Sequence, residues 1–213
     1  MSLYLAPIHS WLFNKIKLSE ELERNIEEAF SNEFGDDVYK IFSEGLSKYG
    51  NFIEDKPLES MIDTSNIHGW LQDKVSKTEG RMAYFITNSI KTFGENVIPI
   101  ALKVYENHGK KCGTEVSVSG DNENALSLFK NFNNYVLDGM PCDHVNSLKT
   151  KTEDLVEWET TTCIHKKYWD EVSGDINVFY NLREAFTTAF IKESNPNFIY
   201  RKSSDSHHQI VKY

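Results

Sequence analysis

The sequence predicts an α+β protein, in which helices pack on a small antiparallel sheet made of two C-terminal hairpins. Two observations carry this prediction. Up to about residue 138 the apolar residues recur at helical spacing, and after Gly139 they alternate as in strands. With 213 residues, 39% of them hydrophobic and 13% aromatic, the chain is long enough to bury a sizeable core.

Capping residues and glycines set the expected boundaries of six helices. Ser19 is expected to cap the first helix, which ends at Gly35. A second helix is expected to begin at Asp36 and to end at Gly50. The remaining four are expected through Met82 to Ile90, from Glu95 to Gly109, from Asp121 or Asn122 to Gly139, and from Ile176 to Lys192.

One stretch of the chain is typical of a boundary. Residues 51–65 contain Pro57 and mixed charges and interrupt the helical pattern. We therefore expect an N-terminal helical segment over residues 1–62 and an α+β body over residues 63–213.

The two hairpins are expected near residues 144–164 and 198–212. In the first, Glu153 and Asp154 form a polar turn between strands rich in Val, Thr and Trp. A two-residue turn there pairs His144 with Cys163, and Cys142 with His165. The second hairpin is expected to have strands 198–202 and 208–212.

Charge and composition limit the classes of partner. The net charge is −9, and neither a basic stripe nor an apolar run long enough to cross a bilayer is present. We therefore expect a small-molecule ligand, and neither nucleic acid nor a membrane, as the partner. Three cysteines, without a signal-peptide layout, indicate reduced thiols in a cytoplasmic protein. The sequence leaves the oligomeric state open.

Two Cys-x-His strings are the strongest chemical signal in the chain. Thiolate and imidazole are the usual ligands of zinc and related transition metals. Residues two apart on a strand stand about 7 Å apart, however, which suits a ladder of ligands better than one tetrahedral ion. The cofactor is therefore none, or a transition metal such as zinc; the alternative is buried thiols and hydrogen-bonded histidines. The candidate metal ligands are Cys142, His144, Cys163 and His165.

Thiol catalysis is the second interpretation of the same residues. Cys163 could pass its proton to His144 or His165 and attack an electrophilic carbon. Glu159 on the same predicted face could move a proton to the leaving group. The alternative for this glutamate is the solvent-facing side of a strand.

Four short motifs stand out in about the last 130 residues: residues 93–97, residues 108–113, the hairpin leading into Cys163, and residues 195–200. Together they resemble the L-2-amino-thiazoline-4-carboxylic acid hydrolase family. The family's Gly-Asp-x-x-Cys string is here Ser204–His208, which keeps only Asp205. A further family cysteine is absent from Tyr180–Arg183.

The resemblance implies a hydrolase that opens a cyclic amidine-like C–N bond, with Cys163 as its reactive cysteine. Such a reaction needs a nucleophile, an acid and a clamp for the substrate carboxylate. Arg183 or Arg201 is the expected clamp, because a guanidinium grips a carboxylate with two hydrogen bonds. The alternative function is a non-catalytic protein that binds a ligand or a metal, as a sensor or carrier.

Overall fold

The computed structural model describes residues 5–213. It confirms the α+β class, with helices followed by a four-stranded antiparallel sheet. Two single-turn 3-10 helices, Leu58–Ser60 and Pro141–Asp143, lie in loops. The helices and strands of the described residues are α1 (Pro7–Phe34), α2 (Asp37–Tyr49), α3 (Ile67–Phe93), α4 (Val97–Ser119), α5 (Ala125–Tyr135), β1 (Asn146–Lys151), β2 (Leu155–Thr160), α6 (Lys166–Glu171), α7 (Ile176–Ser194), β3 (Phe198–Ser204) and β4 (His207–Lys212).

The sheet joins both predicted hairpins in the order β1-β2-β4-β3. One face is apolar, and α5 and α7 contact the sheet. Val156, Trp158 and Ile210 of the two central strands are buried. Alternation along each strand leaves the intervening side chains on the opposite, solvent-facing side.

The predicted register of the first hairpin holds only next to its turn. There Lys151 pairs with Val156, as a two-residue turn requires, but further along Asn146 pairs with Thr160. The register shifts by one residue between Leu148 and Thr150, as a β-bulge does. Both strands also end earlier than expected. The predicted facing pairs are therefore wrong, because none of their members lies in the sheet: Cys142, His144, Cys163 and His165.

The first helix begins at Pro7 rather than at Ser19, which lies inside α1. Proline is well tolerated in the first turn of a helix, where its missing N–H has no partner to lose. The added turns carry Leu12 and Ile16 into a buried cluster with Leu71 of α3. The predicted end at Gly35 is confirmed, as is the second helix between Asp36 and Gly50.

The expected division at residue 62 does not separate two cores. Ile26 and Phe30 of α1 belong to the same buried cluster as the residues of α3, α4 and α7. The rings of Phe30 and Phe85 lie 5.5 Å apart. The N-terminal helices therefore form part of the wall around the main core.

Helices α5 and α6 also differ from the prediction. Helix α5 begins after Asn124, whose side chain accepts a hydrogen bond from the Ser127 N–H, and ends at Tyr135 before reaching Gly139. Helix α6 was not predicted, because six residues are too few to show a period. The loop of residues 136–145, which follows α5, carries Asp138, and His165 directly precedes α6.

Helix α4 continues through Gly109, where the sequence predicted its end. A Cβ atom on Gly109 would lie 2.4 Å from the Phe186 carbonyl oxygen of α7, and one on Gly113 would lie 2.6 Å from the Phe190 carbonyl oxygen. These glycines therefore let the backbones of α4 and α7 approach closely. Glycine ends other helices of this chain, but at these two positions it allows two helices to pack closely.

We expect Gly109→Ala to lower the free energy of unfolding by about 1–3 kcal/mol, the usual cost of overpacking. The added methyl group meets backbone, so the two helices must move apart. Gly45→Ala in α2 is the matched control, because its Cβ would meet the Tyr84 ring at 3.4 Å. Alanine's helix propensity should leave that variant unchanged or stabilised by up to about 1 kcal/mol. Urea denaturation measures both, and equal stabilities would contradict the packing role of Gly109.

A buried ion cluster ties α1 to α3 and to the loop after α2. Arg81 Nη2 donates to Glu20 Oε1 at 2.8 Å, and Arg81 Nε donates to Glu23 Oε2 at 3.1 Å. The backbone N–H of Ile53 also donates to Glu20, at 3.0 Å. Burial raises the pKa of Glu23 to about 7, although the Arg81 charge opposes this shift. The cluster therefore joins α1, α3 and the loop after α2 through contacts among buried side chains and backbone.

Among residues 5–213, no helix combines the length and the apolar character that crossing a bilayer requires.

Candidate functional site

Four charged side chains meet between α3, α7 and the loops on either side of the first hairpin; two are buried, and those of Asp138 and Arg183 keep 21% and 22% of their area exposed. We call them the Asp138 network: Glu79, Asp138, His165 and Arg183. His165 Nδ1 lies 2.9 Å from Glu79 Oε2, and His165 Nε2 lies 3.4 Å from Asp138 Oδ1. Arg183 Nη1 donates to the same Asp138 oxygen at 2.8 Å. Each cation thus faces at least one carboxylate.

The network keeps His165 protonated. Burial by itself would lower its pKa, but the Glu79 charge and the hydrogen bonds to Asp138 and Glu79 outweigh burial and raise the pKa to about 9. Both ring nitrogens therefore carry a proton at neutral pH, and both are used by carboxylates. His165 is accordingly a buried cation and has no lone pair for a thiol proton or a metal.

Asp138 is the centre of the network. Burial would raise its pKa, but the charges of Arg183 and His165 hold the pKa well below the usual range. Arg183 Nη2 also donates to the Leu137 carbonyl oxygen at 3.0 Å, which fixes the loop that carries Asp138. The carboxylate therefore stays ionised and locked in place.

A cavity of about 70 Å³ lies between this network and the buried face of the sheet. We call it the sheet cavity. Its walls are mainly aromatic and apolar, with a few polar groups at one side, which is the usual make-up of a small-molecule site. The residues that line it include Phe132, Asp138, Asn146, Trp158, Thr160, Cys163, His165, Phe179, Tyr180, Arg183, Tyr200 and His208.

A chain of hydrogen bonds runs from the sheet cavity to Asp138. Thr160 Oγ1 donates to Asn146 Oδ1 at 2.9 Å, and Asn146 Nδ2 donates to Asp138 Oδ2 at 3.5 Å. The Thr160 oxygen must therefore accept from His208 Nε2, 3.3 Å away. This leaves His208 Nδ1 to accept from the Tyr200 hydroxyl at 2.7 Å. Every donor in the chain points towards the Asp138 carboxylate.

The same series of hydrogen bonds indicates the protonation state of His208. Burial lowers its pKa to about 4, and the positive charge of Lys202 adds to the effect. The ring is neutral at pH 7, with its proton on Nε2. It stacks on the Trp158 ring with 5.2 Å between the centroids. His208 thus contributes a flat, uncharged wall to the cavity.

Cys163 lies in the loop between β2 and α6 and lines the sheet cavity. The Thr161 N–H in this loop donates to the Val145 carbonyl oxygen at 2.8 Å, which holds the loop beside β1. Burial, together with the neighbouring Cys163 thiol, raises the pKa of the Tyr180 hydroxyl of α7. The thiol therefore lies beside a neutral hydroxyl group.

A second cavity of about 50 Å³ lies on the other side of Phe179 and Arg183. It is lined by Tyr105 and His108 of α4. His108 Nδ1 is buried without a hydrogen-bond partner among the described residues, and burial lowers the pKa of His108. Two cavities thus share the wall formed by Phe179 and Arg183.

The structure brings three of the predicted site residues together and separates the others. Cys163, His165 and Arg183 line the sheet cavity. Cys142 and His144 lie at a 3-10 turn, exposed and outside this cavity.

Glu159 and Arg201 also lie outside the sheet cavity. Glu159 is on the solvent-facing side of β2, where Oε2 lies 2.7 Å from Lys149 Nζ. Arg201 is exposed on β3, at the edge of the sheet.

These positions correct the predicted chemistry. A proton transfer from Cys163 to His144 is not supported, because His144 is outside the cavity. A transfer to His165 is not supported either, because that ring is already protonated. The predicted roles of Glu159 as a proton carrier and of Arg201 as a carboxylate clamp are not supported either, because both residues lie outside the sheet cavity. Arg183 remains the one predicted arginine that reaches the cavity.

The predicted metal site is not formed. Among residues 5–213, no group of three or more His, Cys, Asp or Glu side chains is arranged to hold a metal ion. His165 spends both nitrogens on carboxylates, and the strand pairing that was to gather the four ligands is absent.

Sequence reasoning missed Glu79, Asp138 and the role of His208. His208 had one available signal, because it occupies the position of the cysteine in the resembling family's Gly-Asp-x-x-Cys string. Glu79 and Asp138 carry no local motif. Glu79 lies 86 positions from its partner His165, so only the fold brings them together.

Comparisons with family models, with curated proteins and with solved structures return no match for this chain. The resemblance to the thiazoline-carboxylate hydrolase family therefore stays a prediction, which rests on the short motifs alone.

Proposed function

We propose that the protein binds a small planar organic molecule in the sheet cavity, with a carboxylate or similar anionic group directed towards Arg183. The observation that carries the proposal is a cavity with aromatic walls whose lining includes the Arg183 guanidinium. Trp158, Phe179 and Tyr200 supply flat apolar walls. A planar ligand can stack on such walls, as aromatic pairs do in protein cores.

Charge selects the polar end of the ligand. Arg183 and His165 are cations that line the cavity, and Glu79 and Asp138 balance their charges. The Arg183 guanidinium carries five N–H groups, and two of its nitrogens donate to Asp138 and to the Leu137 carbonyl oxygen. The N–H groups left over can bind an anionic group of the ligand with charge-assisted hydrogen bonds.

Titration with matched acids and amides tests this proposal. Acetate and propionate, which suit a cavity of about 70 Å³, are compared with acetamide and propionamide, which keep the size and lose the charge. We expect the acids to bind at least ten times more tightly, with quenching of tryptophan fluorescence because Trp158 lines the cavity. Failure of both acids to bind at millimolar concentration would contradict the proposal.

Two cysteine variants locate the binding. Cys163→Leu fills part of the sheet cavity and should abolish binding, whereas Cys142→Leu places the same side chain on the exposed turn and should leave binding unchanged. Equal affinities for the two variants would place the ligand elsewhere. Circular dichroism of both variants checks that the fold is retained.

A second candidate function is hydrolysis of a non-peptide C–N bond by Cys163. The observation that favours it is the position of the thiol in the lining of the cavity, beside Tyr180. Sulfur would add to the amidine-like carbon of a cyclic substrate, and the ring C–N bond would break as its nitrogen takes up the thiol proton. Water would then release the product and restore the thiol. This is also the activity that the family resemblance implies.

Alkylation and turnover test the second candidate separately from binding. At pH 7, iodoacetamide should modify Cys163 faster than the exposed Cys142, and Cys163→Ser should abolish hydrolysis of 2-amino-thiazoline-4-carboxylate. Cys142→Ser should retain it. Slower alkylation of Cys163, together with no hydrolysis by the wild-type protein, would end the catalytic proposal and leave the binding proposal standing.

A further inference from the structure

Lys15 of α1 is buried beneath a further cleft, which is distinct from the two cavities described above. The cleft has a volume of about 150 Å³ and shares Asp138, Val145 and Asn146 with the lining of the sheet cavity. We call it the Lys15 cleft. It is lined by Trp11, Lys15, Asn133, Asp138 and His144, together with residues 139–141 and 145–146. None of the proposed ligand's contacts uses Trp11, Asn133 or His144.

The ammonium group of Lys15 lacks the partner that a buried lysine usually has. Only 4% of the residue is exposed, yet no carboxylate of residues 5–213 lies within ion-pair distance of Nζ. Buried lysines are rare unless they are paired, because taking the charge out of water is costly. The group instead lies over the Trp11 ring, 3.9 Å from its centroid.

Trp11 is itself fixed, so the position of Lys15 is defined. The indole N–H donates to Asn134 Oδ1 at 2.8 Å, which anchors the ring to α5. Trp11 and Lys15 are four residues apart on α1, a spacing that puts both side chains on one face. A lysine held in this way loses little conformational freedom when it reacts.

We propose that Lys15 is a carbonyl-binding amine, which forms a Schiff base with a small aldehyde or ketone that enters the Lys15 cleft. The desolvated amine, the absence of an ion-pair partner among the described residues, and an adjoining open cleft of suitable size carry this inference. Desolvation in an apolar site is one of the ways in which proteins activate lysine for this reaction.

The reaction balances without any further reagent. The lone pair of Nζ forms a bond to the carbonyl carbon, and the carbonyl oxygen takes up a proton to give a carbinolamine. The oxygen then leaves as water, and nitrogen loses its remaining proton to leave the neutral imine. The carbonyl compound and the amine thus give an imine and one water molecule, with no oxidation or reduction.

Electrostatics support the same assignment. Burial lowers the pKa of Lys15 to about 8; Asp138 opposes this shift and Arg183 adds to it. The other titratable group facing the cleft is His144, whose side chain lies at the exposed rim. A larger share of Lys15 than of a surface lysine is therefore unprotonated at neutral pH, and only that form is nucleophilic.

Reductive trapping on the wild-type protein tests the proposal directly. The protein is incubated at pH 7.5 with limiting acetaldehyde and sodium cyanoborohydride, which reduces each imine to a stable ethylamine. Peptide mass spectrometry then gives the labelling rate of every lysine. We expect Lys15 to be labelled at least ten times faster than Lys74.

Lys74 is the matched control within the same molecule. It too lies over an indole, with Nζ 5.1 Å from the Trp70 centroid, but Asp73 lies 3.5 Å from that nitrogen and the side chain is partly exposed. Labelling of Lys15 no faster than Lys74 would overturn the proposal. Fast labelling of Lys15 that persists after the sheet cavity is filled in Cys163→Leu would show that the two sites are independent.

Discussion

The Asp138→Asn variant is expected to lose about 2–4 kcal/mol of unfolding free energy, because its ion pair with Arg183 is mostly buried, with 21% and 22% of the two side chains exposed. The substitution keeps the size of the side chain and removes its charge. Arg183 would lose the carboxylate 2.8 Å from Nη1, and His165 would lose the one 3.4 Å from Nε2. Urea denaturation of the variant measures the loss.

Asp170→Asn is the control for this prediction. Asp170 makes an ion pair with Lys166 at 2.6 Å on the surface of α6, where more than half of each side chain is exposed. Surface pairs of this kind contribute about 1 kcal/mol or less. A loss in Asp138→Asn no larger than in this control would show that Asp138 does not hold the network together.

The variant should also change the pH dependence of stability. The folded pKa of His165 is raised to about 9, above the unfolded value of about 6.5. The stability that this residue contributes is therefore complete below about pH 6.5 and is lost as the pH rises towards 9. We expect the wild-type unfolding free energy to fall between pH 6.5 and 8, and the fall to be smaller in Asp138→Asn.

The range ends at pH 8 because Lys15 affects stability above that pH. The pKa of Lys15 in the folded protein is lowered to about 8, so above pH 8 its contribution to the free energy of unfolding rises with pH and opposes the contribution of His165. Nuclear magnetic resonance of the His165 ring gives an independent check. Its pKa should be lower in the variant, and an unchanged value would contradict the coupling between His165 and Asp138.

Arg81→Met is the second large effect, about 3–5 kcal/mol of unfolding free energy. The variant leaves Glu20 and Glu23 buried, with exposures of 3% and 1%, and without their shared cation. Repulsion and desolvation should then raise the pKa of Glu23 further. The loss of stability should therefore be smaller at pH 5 than at pH 8, because protonation relieves it.

Lys77→Met is the matched control for Arg81→Met. Lys77 lies one turn earlier on α3, partly exposed, with Nζ 2.8 Å from Asp73. Its replacement should cost about 1 kcal/mol or less. Replacing Arg81, Glu20 and Glu23 together by methionine should recover much of the stability lost in Arg81→Met. A triple variant less stable than the single one would show that the ion cluster is itself the source of stability.

Local patterns predicted much of the fold. The Gly35-Asp36 break, the helix end at Gly50 and both hairpins were visible because capping, helix termination and strand alternation depend on neighbouring residues. The same local rules misassigned Gly109. Its neighbours fit a helix end, but the close backbone of α7 requires a residue without Cβ at that place.

The candidate site was only partly predictable. Cys163 and Arg183 were singled out by residue chemistry and family resemblance, and both line the sheet cavity. The partners proposed for Cys163 depended on one hairpin register. A bulge in β1 and earlier strand ends removed that register, because bulges follow from packing against the rest of the sheet and leave no clear mark in the sequence.

The sequence by itself determined the class of the fold and the presence of a cysteine and an arginine suited to a small-molecule site. It did so because periodicity and side-chain chemistry are properties of short segments. Only the tertiary structure decided that His165 is a buried cation, that His208 is neutral and that Lys15 faces a cleft without a carboxylate partner among the described residues. Protonation depends on burial and on charges distant in sequence, such as Asp138 and Arg183, which are 45 positions apart.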